Sequence, residues 1–434
     1  MLSVWSNNSN LPHFKPLNED IKTDVLIIGG GISGILCAYF LHQQGINYAL
    51  VESNTICCGI TKDTTAKITS QHGLIYNKLV DSLGVENAQL YLNANQKALN
   101  TYRDMCKNIS CDFEIKDSYV YSIDDKSLLE EEILSLEKIH FKANLVDTHE
   151  LPFNTVGAVE FKNQAQFNVL KFISSIAKDL NIYENTFARQ VDNHKVRTDN
   201  NTITANKIIV CSHFPFINRY GMYFLKMYQH RSYVIALQDA KNVHGMYIDE
   251  SNQGISLRNY KNLLLVGGGG HRTGKDGGNW RFLDKFAKEY YPNSKEAYRW
   301  ATQDCITLDG IPYIGNYSKR TPNLYVATGF NKWGMTSSMV SAMVLTDILL
   351  KGDSIYKDIF SPSRSMLKPQ LFVNGVEATK NLLTISKRRC PHMGCALHWN
   401  SSEHTWDCPC HGSRFSKHGT LIDNPSTKNA KHST

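Results

Sequence analysis

Two groups of residues could do chemistry by type and spacing alone. Toward the C-terminus the run CPHMGC supplies Cys390, His392 and Cys395. After fifteen residues between His392 and Cys408, the run CPCHGSRF adds Cys408, Cys410 and His411. Each run holds a thiolate–imidazole half-site, C-x-H in the first and C-x-x-H in the second. Two thiolates with two imidazoles suit a tetrahedral zinc ion, or a two-iron cluster in which two histidines replace two cysteines on one iron. Near the N-terminus, Gly29, Gly31 and Gly34 fit G-x-G-x-x-G, and Glu52 follows eighteen residues past Gly34. The first glycine permits a tight turn, the second lets backbone approach a pyrophosphate, and the third allows close helix–strand packing. The acid is then placed to accept hydrogen bonds from an adenosine ribose.

The flanking segments give these residues their positions. Residues 24–28 (DVLII) read as a strand ending at the glycines, residues 32–44 as a helix closed by Gly45, and residues 48–51 as a second strand ending at Glu52. That is a βαβ unit of about thirty residues. Residues 75–107 carry a helical pattern and residues 167–180 an amphipathic one. Residues 207–211 (KIIVC) and 263–266 read as buried strands, the latter running into the glycines of 267–270. A strand (LYVAT, 324–328) leads through a glycine-containing turn into a long helix to Leu350, and residues 362–369 read as a linker. No second spaced G-x-G-x-x-G follows a strand, so a separate nicotinamide domain is not expected.

Composition bounds the rest. The 434 residues are 42% hydrophobic and 20% charged, which suits two or three globular domains and excludes a collagen-like or disordered chain. A net charge of +7 is too mild to imply nucleic acid, yet the stretch from Met366 holds nine Lys/Arg against four Asp/Glu, so the C-terminal part is compositionally separate. Residues 1–22 lack the basic start and apolar stretch of a leader, and the apolar run of residues 25–41 is broken by glycines. No integral membrane span and a cytoplasmic location are therefore expected. In that compartment the cysteines of the first half, such as Cys37, Cys106 and Cys211, are expected as small buried hydrophobes.

The run GITKDTTAK (59–67), with DGIPYIG (309–315) ahead of LYVATGFNKWGMTSS (324–338), resembles the D-amino-acid-oxidase-like FAD-dependent oxidoreductases, over about residues 20–355. The resemblance implies an α/β fold: a Rossmann-like FAD-binding domain with an interleaved α+β substrate domain. It places Gly329, Gly334, Met335 and Thr336 at the flavin, with Thr64 and Thr65 near its ring. A helix start there would stabilise negative charge on the reduced ring. CPHMGC with CPCHGSRF is similar to the Rieske [2Fe–2S] family, in its cytochrome-bc-type branch, and implies a small all-β module. By that resemblance Cys390 and Cys408 hold one iron, His392 and His411 the other, and Cys395 and Cys410 form a disulfide. Phe415 stands where high-potential members carry tyrosine, which implies a lower reduction potential.

The expected organisation is an arm (1–22), a flavin domain (23–361), a linker (362–386) and an abbreviated Rieske module (387–434). Within the flavin domain, residues 23–75, 150–215 and 300–355 would hold FAD, and 76–149 and 216–299 would form the substrate part. Amino-acid oxidases of this family place an arginine before the D-G-x-P motif, as a carboxylate clamp. Here that position is Asp304, which points to an amine-like substrate; Arg272 could supply a positive group instead. Cys305 is out of register with the family's flavin-linking cysteine. The expected activity is oxidation of a small amine-like substrate, with electrons passing singly from flavin to cluster. The cycle would be completed by a one-electron acceptor or donor protein or a quinone. Two alternatives stand beside it: an electron-transfer flavo-iron-sulfur protein with no substrate of its own, or a flavoenzyme with a structural zinc clip.

Overall fold

The computed structural model describes residues 2–6, 10–251, 254–386 and 388–430. The elements that carry the argument are, in chain order, β1 (Ile21–Ile28), α1 (Ile32–Gln43), β2 (Tyr48–Val51), β3 (Thr202–Val210), β4 (Met227–Gln238), β5 (Leu263–Arg272), β6 (Lys295–Thr307), β7 (Leu324–Thr328), α2 (Gly334–Lys351) and α3 (Pro369–Leu383).

The first sheet is wound around β1. It runs Tyr313–Asn316, β7, β3, β1, β2, Ile182–Tyr183, with β1 parallel to both β2 and β3 and β3 parallel to β7. Parallel strands buried on both faces need apolar side chains throughout, which is why Leu26, Ile27, Leu50, Ile208 and Ile209 are all fully buried. Helices α1 and α2 pack on one face of this sheet, and both point their N-termini toward the C-terminal ends of β1 and β7. A cofactor crevice is expected at that edge of such a sheet.

A second, mostly antiparallel sheet runs β6, β4, β5, Ser256–Tyr260, Met246–Asp249, Glu114–Ser122, Gly157–Gln166, Lys67–Ile68. It draws in two segments that the sequence assigns to the FAD-binding part. Gly157–Gln166 pairs with Glu114–Ser122, and β6, which covers residues 300–307 of the expected FAD segment, pairs along its whole length with β4. Backbone pairing, not position in the chain, decides their membership.

The C-terminal module is a four-stranded antiparallel sheet, His398–Asn400, Thr405–Asp407, Arg414–Ser416, Leu421–Asp423. Ahead of it, residues 362–386 are not the plain linker the sequence suggests. Arg364 makes a two-pronged ion pair with Asp309 (2.7 and 2.8 Å), and residues 369–383 form helix α3, opened by Pro369 at a position where a missing N–H costs nothing. Among the described residues, no helix is long and apolar enough to cross a membrane.

Candidate functional site

A cavity of about 1050 Å³ lies where the two sheets and the C-terminal module meet. It is lined by Gly29, Gly31 and Glu52 and also by Gly329, Gly334 and Met335. The glycine turn is built as the spacing demands. A Cβ on Gly34 would lie 1.9 Å from the Gly29 carbonyl oxygen, so only glycine lets α1 press against the turn. Glu52 is oriented by its neighbours: Oε2 accepts from Gly30 N (2.7 Å) and Oε1 from Asn54 N (2.9 Å), leaving carboxylate lone pairs facing the cavity. A cavity of this size lined by a glycine cradle, an oriented acid and a second helix start fits a dinucleotide.

The remaining expected flavin residues divide. Thr64 and Thr65 line the cavity, but Thr336 does not. Its hydroxyl is turned away to the Thr69 carbonyl (3.1 Å) and His72 Nε2 (2.9 Å). Helical periodicity explains this: Gly334 and Ser338 share one side of α2 and Thr336 lies on another.

The same cavity is lined by Asp304, Lys332, Lys67, Asp63, Arg231 and the glycine strand at 267, 268 and 270. Burial pushes the Asp304 carboxyl up to about 6, partly offset by Lys332 and Arg231. Burial pushes Lys67 down to about 7, with nearby Arg258 adding to the shift; its Nζ donates to Thr65 Oγ1 (3.1 Å) and Ser256 Oγ (3.2 Å). Burial likewise pushes Asp63 up to about 7.

Arg272 is not part of this group. It ends β5 beside the C-terminal module, where Nε donates to the Pro409 carbonyl (3.0 Å), Nη2 to the Cys410 carbonyl (3.2 Å) and Nη1 to Asn374 Oδ1 (3.0 Å). Three oxygen acceptors outside the cavity capture the guanidinium, so it clamps a cysteine loop instead of facing a substrate.

The two Cys/His runs form adjacent loops. Cys390 N donates to the Cys395 carbonyl and Cys408 N to the Ser413 carbonyl, each at 2.9 Å, which folds each run back on itself. Cys395 and Cys410 are joined in a disulfide. Cys390 and Cys408 are buried free thiols close enough to share a hydrogen bond. The rings of His392 and His411 stand 4.9 Å apart, nearly perpendicular.

Both imidazoles are held neutral by burial, His392 near 4 and His411 near 3. His392 Nε2 meets Asn218 Oδ1 at 2.9 Å, while its Nδ1 is buried with no hydrogen-bond partner among the described residues. A neutral ring oriented through one nitrogen, with the other buried and without a hydrogen-bond partner among the described residues, suits a metal ligand. Cys390, Cys408, His392 and His411 thus have the chemistry to suit a two-iron centre of mixed ligation.

The matches to known families agree with this geometry. Residues 24–348 match the family described as FAD dependent oxidoreductase, and residues 363–433 match the Rieske [2Fe-2S] domain. The chain belongs to the FAD-dependent oxidoreductases and ends in a Rieske domain. Its cofactors are accordingly FAD and a [2Fe–2S] cluster. YhfW of Bacillus subtilis, named as a Rieske 2Fe-2S iron-sulfur protein, is 34% identical over 99% of this chain and 97% of its own length. Gamma-glutamylputrescine oxidoreductase of Escherichia coli is 22% identical over 80% of this chain and 88% of its own. Among solved structures, L-proline dehydrogenase from P. horikoshii superposes with a TM-score of 0.67 at 17% identity, covering 80% of this chain and 98% of its own.

In this FAD-dependent oxidoreductase the Rieske domain is docked against β4 and β6 by groups the sequence did not single out. Gln229 Nε2 donates to the His411 carbonyl (2.8 Å), and Gln303 Nε2 to the Gly412 carbonyl (2.9 Å) and to Gln229 Oε1 (2.6 Å). Gly412 sits at φ +83°, and a Cβ there would come within 2.5 Å of Gln229. His213, which lines the cavity, reaches Gln229 Oε1 at 3.2 Å, so a short chain of polar groups joins the cavity wall to the His411 backbone. Arg231 pairs with Glu403, which also pairs with Arg414 (2.8 Å). Residues 421–424 and 426–429 of the Rieske domain themselves line the flavin cavity. Apart from Arg414, which lies in the run CPCHGSRF, none of these polar residues belongs to a motif. Gln229 and Arg231 occupy buried positions in the alternating first half of β4, so polar residues stand where the pattern of a half-buried strand would put apolar ones.

Proposed function

We propose that this chain oxidises a small amine-like substrate at the flavin and passes the electrons singly to the Rieske cluster, in the cytoplasm. A one-electron acceptor or donor protein, or a quinone, would complete the cycle. When bound, FAD supplies two-electron chemistry with the substrate and the cluster supplies one-electron chemistry with a partner. The observation that carries the reading is the shared cavity: the glycine turn, Asp304 and the Rieske segment 421–429 line the same space.

In this reading Gly29, Gly31, Gly34, Glu52, Thr64, Thr65, Gly329, Gly334 and Met335 hold FAD, and Cys390, Cys408, His392 and His411 hold the cluster. The flavin domain is residues 23–361 and the cluster module 387–434. Asp304, a buried carboxylate in the cavity, attracts an ammonium group and repels a second carboxylate. Lys67, held near neutrality, can take up a proton at Nζ from a bound ammonium and release it to water. The low-polarity glycine strand at 267–270 leaves room beside them and offers no competing charge.

The test is anaerobic mixing of holoprotein with a panel of amines and amino acids, following flavin absorbance and the cluster EPR signal together. Amines should bleach the flavin and reduce the cluster, and Asp304→Ala should lower kcat/KM for amines at least about tenfold. Bleaching by amino acids alone, or amine turnover spared in Asp304→Ala, would overturn the reading.

A further inference from the structure

Helix α3 is turned inside out relative to an ordinary surface helix. Its polar side faces the protein: Asn374 and Asn381 are buried, Asn374 bonds to the Leu225 carbonyl (3.2 Å) and to Arg272, and Glu377 pairs with Lys275 at 2.5 Å. Its apolar side faces water. Phe372 is 71% exposed, Val376 67% and Leu383 77%, and Val373 joins them at 50%. These four side chains fall on one arc of the helix at i, i+1, i+4 and i+11. The stripe is extended at its two ends by Leu367 and Ile385, which is 98% exposed. Exposed Thr379 and Lys380 lie on the same arc between Val376 and Leu383, so the face is two apolar patches with a basic side chain between them, and exposed apolar patches of this kind mark a contact that the isolated chain does not make.

The charges around the stripe select the occupant. Between residues 367 and 389 the sequence carries Lys368, Lys380, Lys387, Arg388 and Arg389 against a single acid, Glu377, whose carboxylate is taken by Lys275. A second copy of the chain seated face to face would bring these like charges together. An apolar helix face in a segment with this excess of basic over acidic residues has the signature of a helix lying in the headgroup region of an anionic bilayer.

We propose that α3, with Leu367 and Ile385, seats this protein peripherally on an anionic lipid bilayer. The seat lies beside the cluster. Arg389 donates to the Leu382 and Thr384 carbonyls at the end of α3 and to the Gly394 carbonyl of the first cluster loop (3.2, 2.8 and 2.7 Å), and Ala396 N bonds to the Asn381 carbonyl (2.9 Å). Met393, next to the ligand His392, is itself 39% exposed. Docking by this helix therefore brings the first cluster loop to the lipid surface while the flavin cavity stays on the protein side.

The experiment is sedimentation of holoprotein with unilamellar vesicles, either phosphatidylglycerol and phosphatidylcholine in equal parts or phosphatidylcholine alone. The protein should pellet with the anionic vesicles and partition about tenfold or more weakly onto the neutral ones, with binding falling as salt rises. Phe372→Ser combined with Val376→Ser should weaken binding to anionic vesicles by about tenfold or more, while flavin absorbance and the cluster EPR signal, as checks on the fold, stay those of the parent protein. Absence of binding to either vesicle, or binding indifferent to lipid charge and to the double substitution, would overturn the proposal. So would a dimer in light scattering that the double substitution abolishes without any vesicle binding, since that assigns the face to a second copy.

Discussion

Glu403 is the residue on which docking of the Rieske domain should depend most. It lies between two buried guanidinium groups, Arg231 from β4 and Arg414 from the module, with side chains 3% and 6% exposed. Burial works against its charge, but Arg231 and Arg414 override this and hold the carboxyl below its ordinary value of about 4.5. Glu403→Ala would leave Arg414 with Asp407 (3.1 Å) and Asp423 (3.0 Å). Arg231 would lose its ion-pair partner and keep only the longer-range attraction of Asp63 and Asp304. Stranding one buried charge costs about 3–5 kcal/mol, or roughly a hundred- to several-thousand-fold in the ratio of docked to undocked module. Guanidinium unfolding, followed separately by cluster absorbance and flavin fluorescence, should show the cluster transition shifted to lower denaturant. Arg231→Met added to Glu403→Ala removes the stranded charge and should recover most of the loss. A single variant within about 1 kcal/mol of the parent, or a double variant no better than the single, would refute the reasoning. The sign with pH follows from the depressed value: the stabilisation is fully present above about 4.5 and is lost as pH falls through the lower folded value.

Further outcomes follow from other sites. Phe415→Tyr should raise the cluster's reduction potential on the order of 50 mV, taking one added hydrogen bond to sulfur as about 1.4 kcal/mol in a one-electron couple; an EPR redox titration showing no rise would refute it. Because the raised Asp304 carboxyl titrates near 6, the KM for an amine substrate should climb as pH falls through that value. That inflection should be absent in Asp304→Asn if the carboxylate binds the ammonium. Gly34→Ala, whose Cβ would overlap the Gly29 carbonyl at 1.9 Å, should yield protein without bound flavin, scored by absorbance of the purified chain. Cys395→Ser opens a disulfide that closes a loop spanning 15 residues of sequence separation and should destabilise the cluster loops by about 3 kcal/mol, read as faster cluster loss on dilution.

The parts legible in the sequence are those where one short segment both sets the local fold and supplies the chemistry. Residues 24–52 contain strand, turn, helix and acid in consecutive order, and the structure places β1, α1 and β2 within a few residues of that reading. The Cys/His runs are legible for the same reason, since each loop closes on itself. What escaped are features made by distant partners. Arg272 follows a glycine run that lines the cavity, yet its side chain is decided by carbonyls at Pro409 and Cys410, far along the chain. Thr336 sits inside a flavin motif, yet its hydroxyl is decided by Thr69 and His72. Lys67 lies in the quoted run GITKDTTAK, but its burial is set by Ser256 and Arg258 from another strand. Helix α3 was hidden because its apolar residues face outward, the reverse of the pattern that announces a packed helix.

The wall formed by residues 421–429 ties the two halves of the molecule together in time as well as space. The cradle precedes that wall in the chain by the rest of the flavin domain and both cysteine loops. In N-to-C synthesis the compartment therefore stays open on that side until the segment at 421–429 has followed. A polypeptide lacking that segment would keep Cys390, His392, Cys408 and His411 and still present a breached chamber.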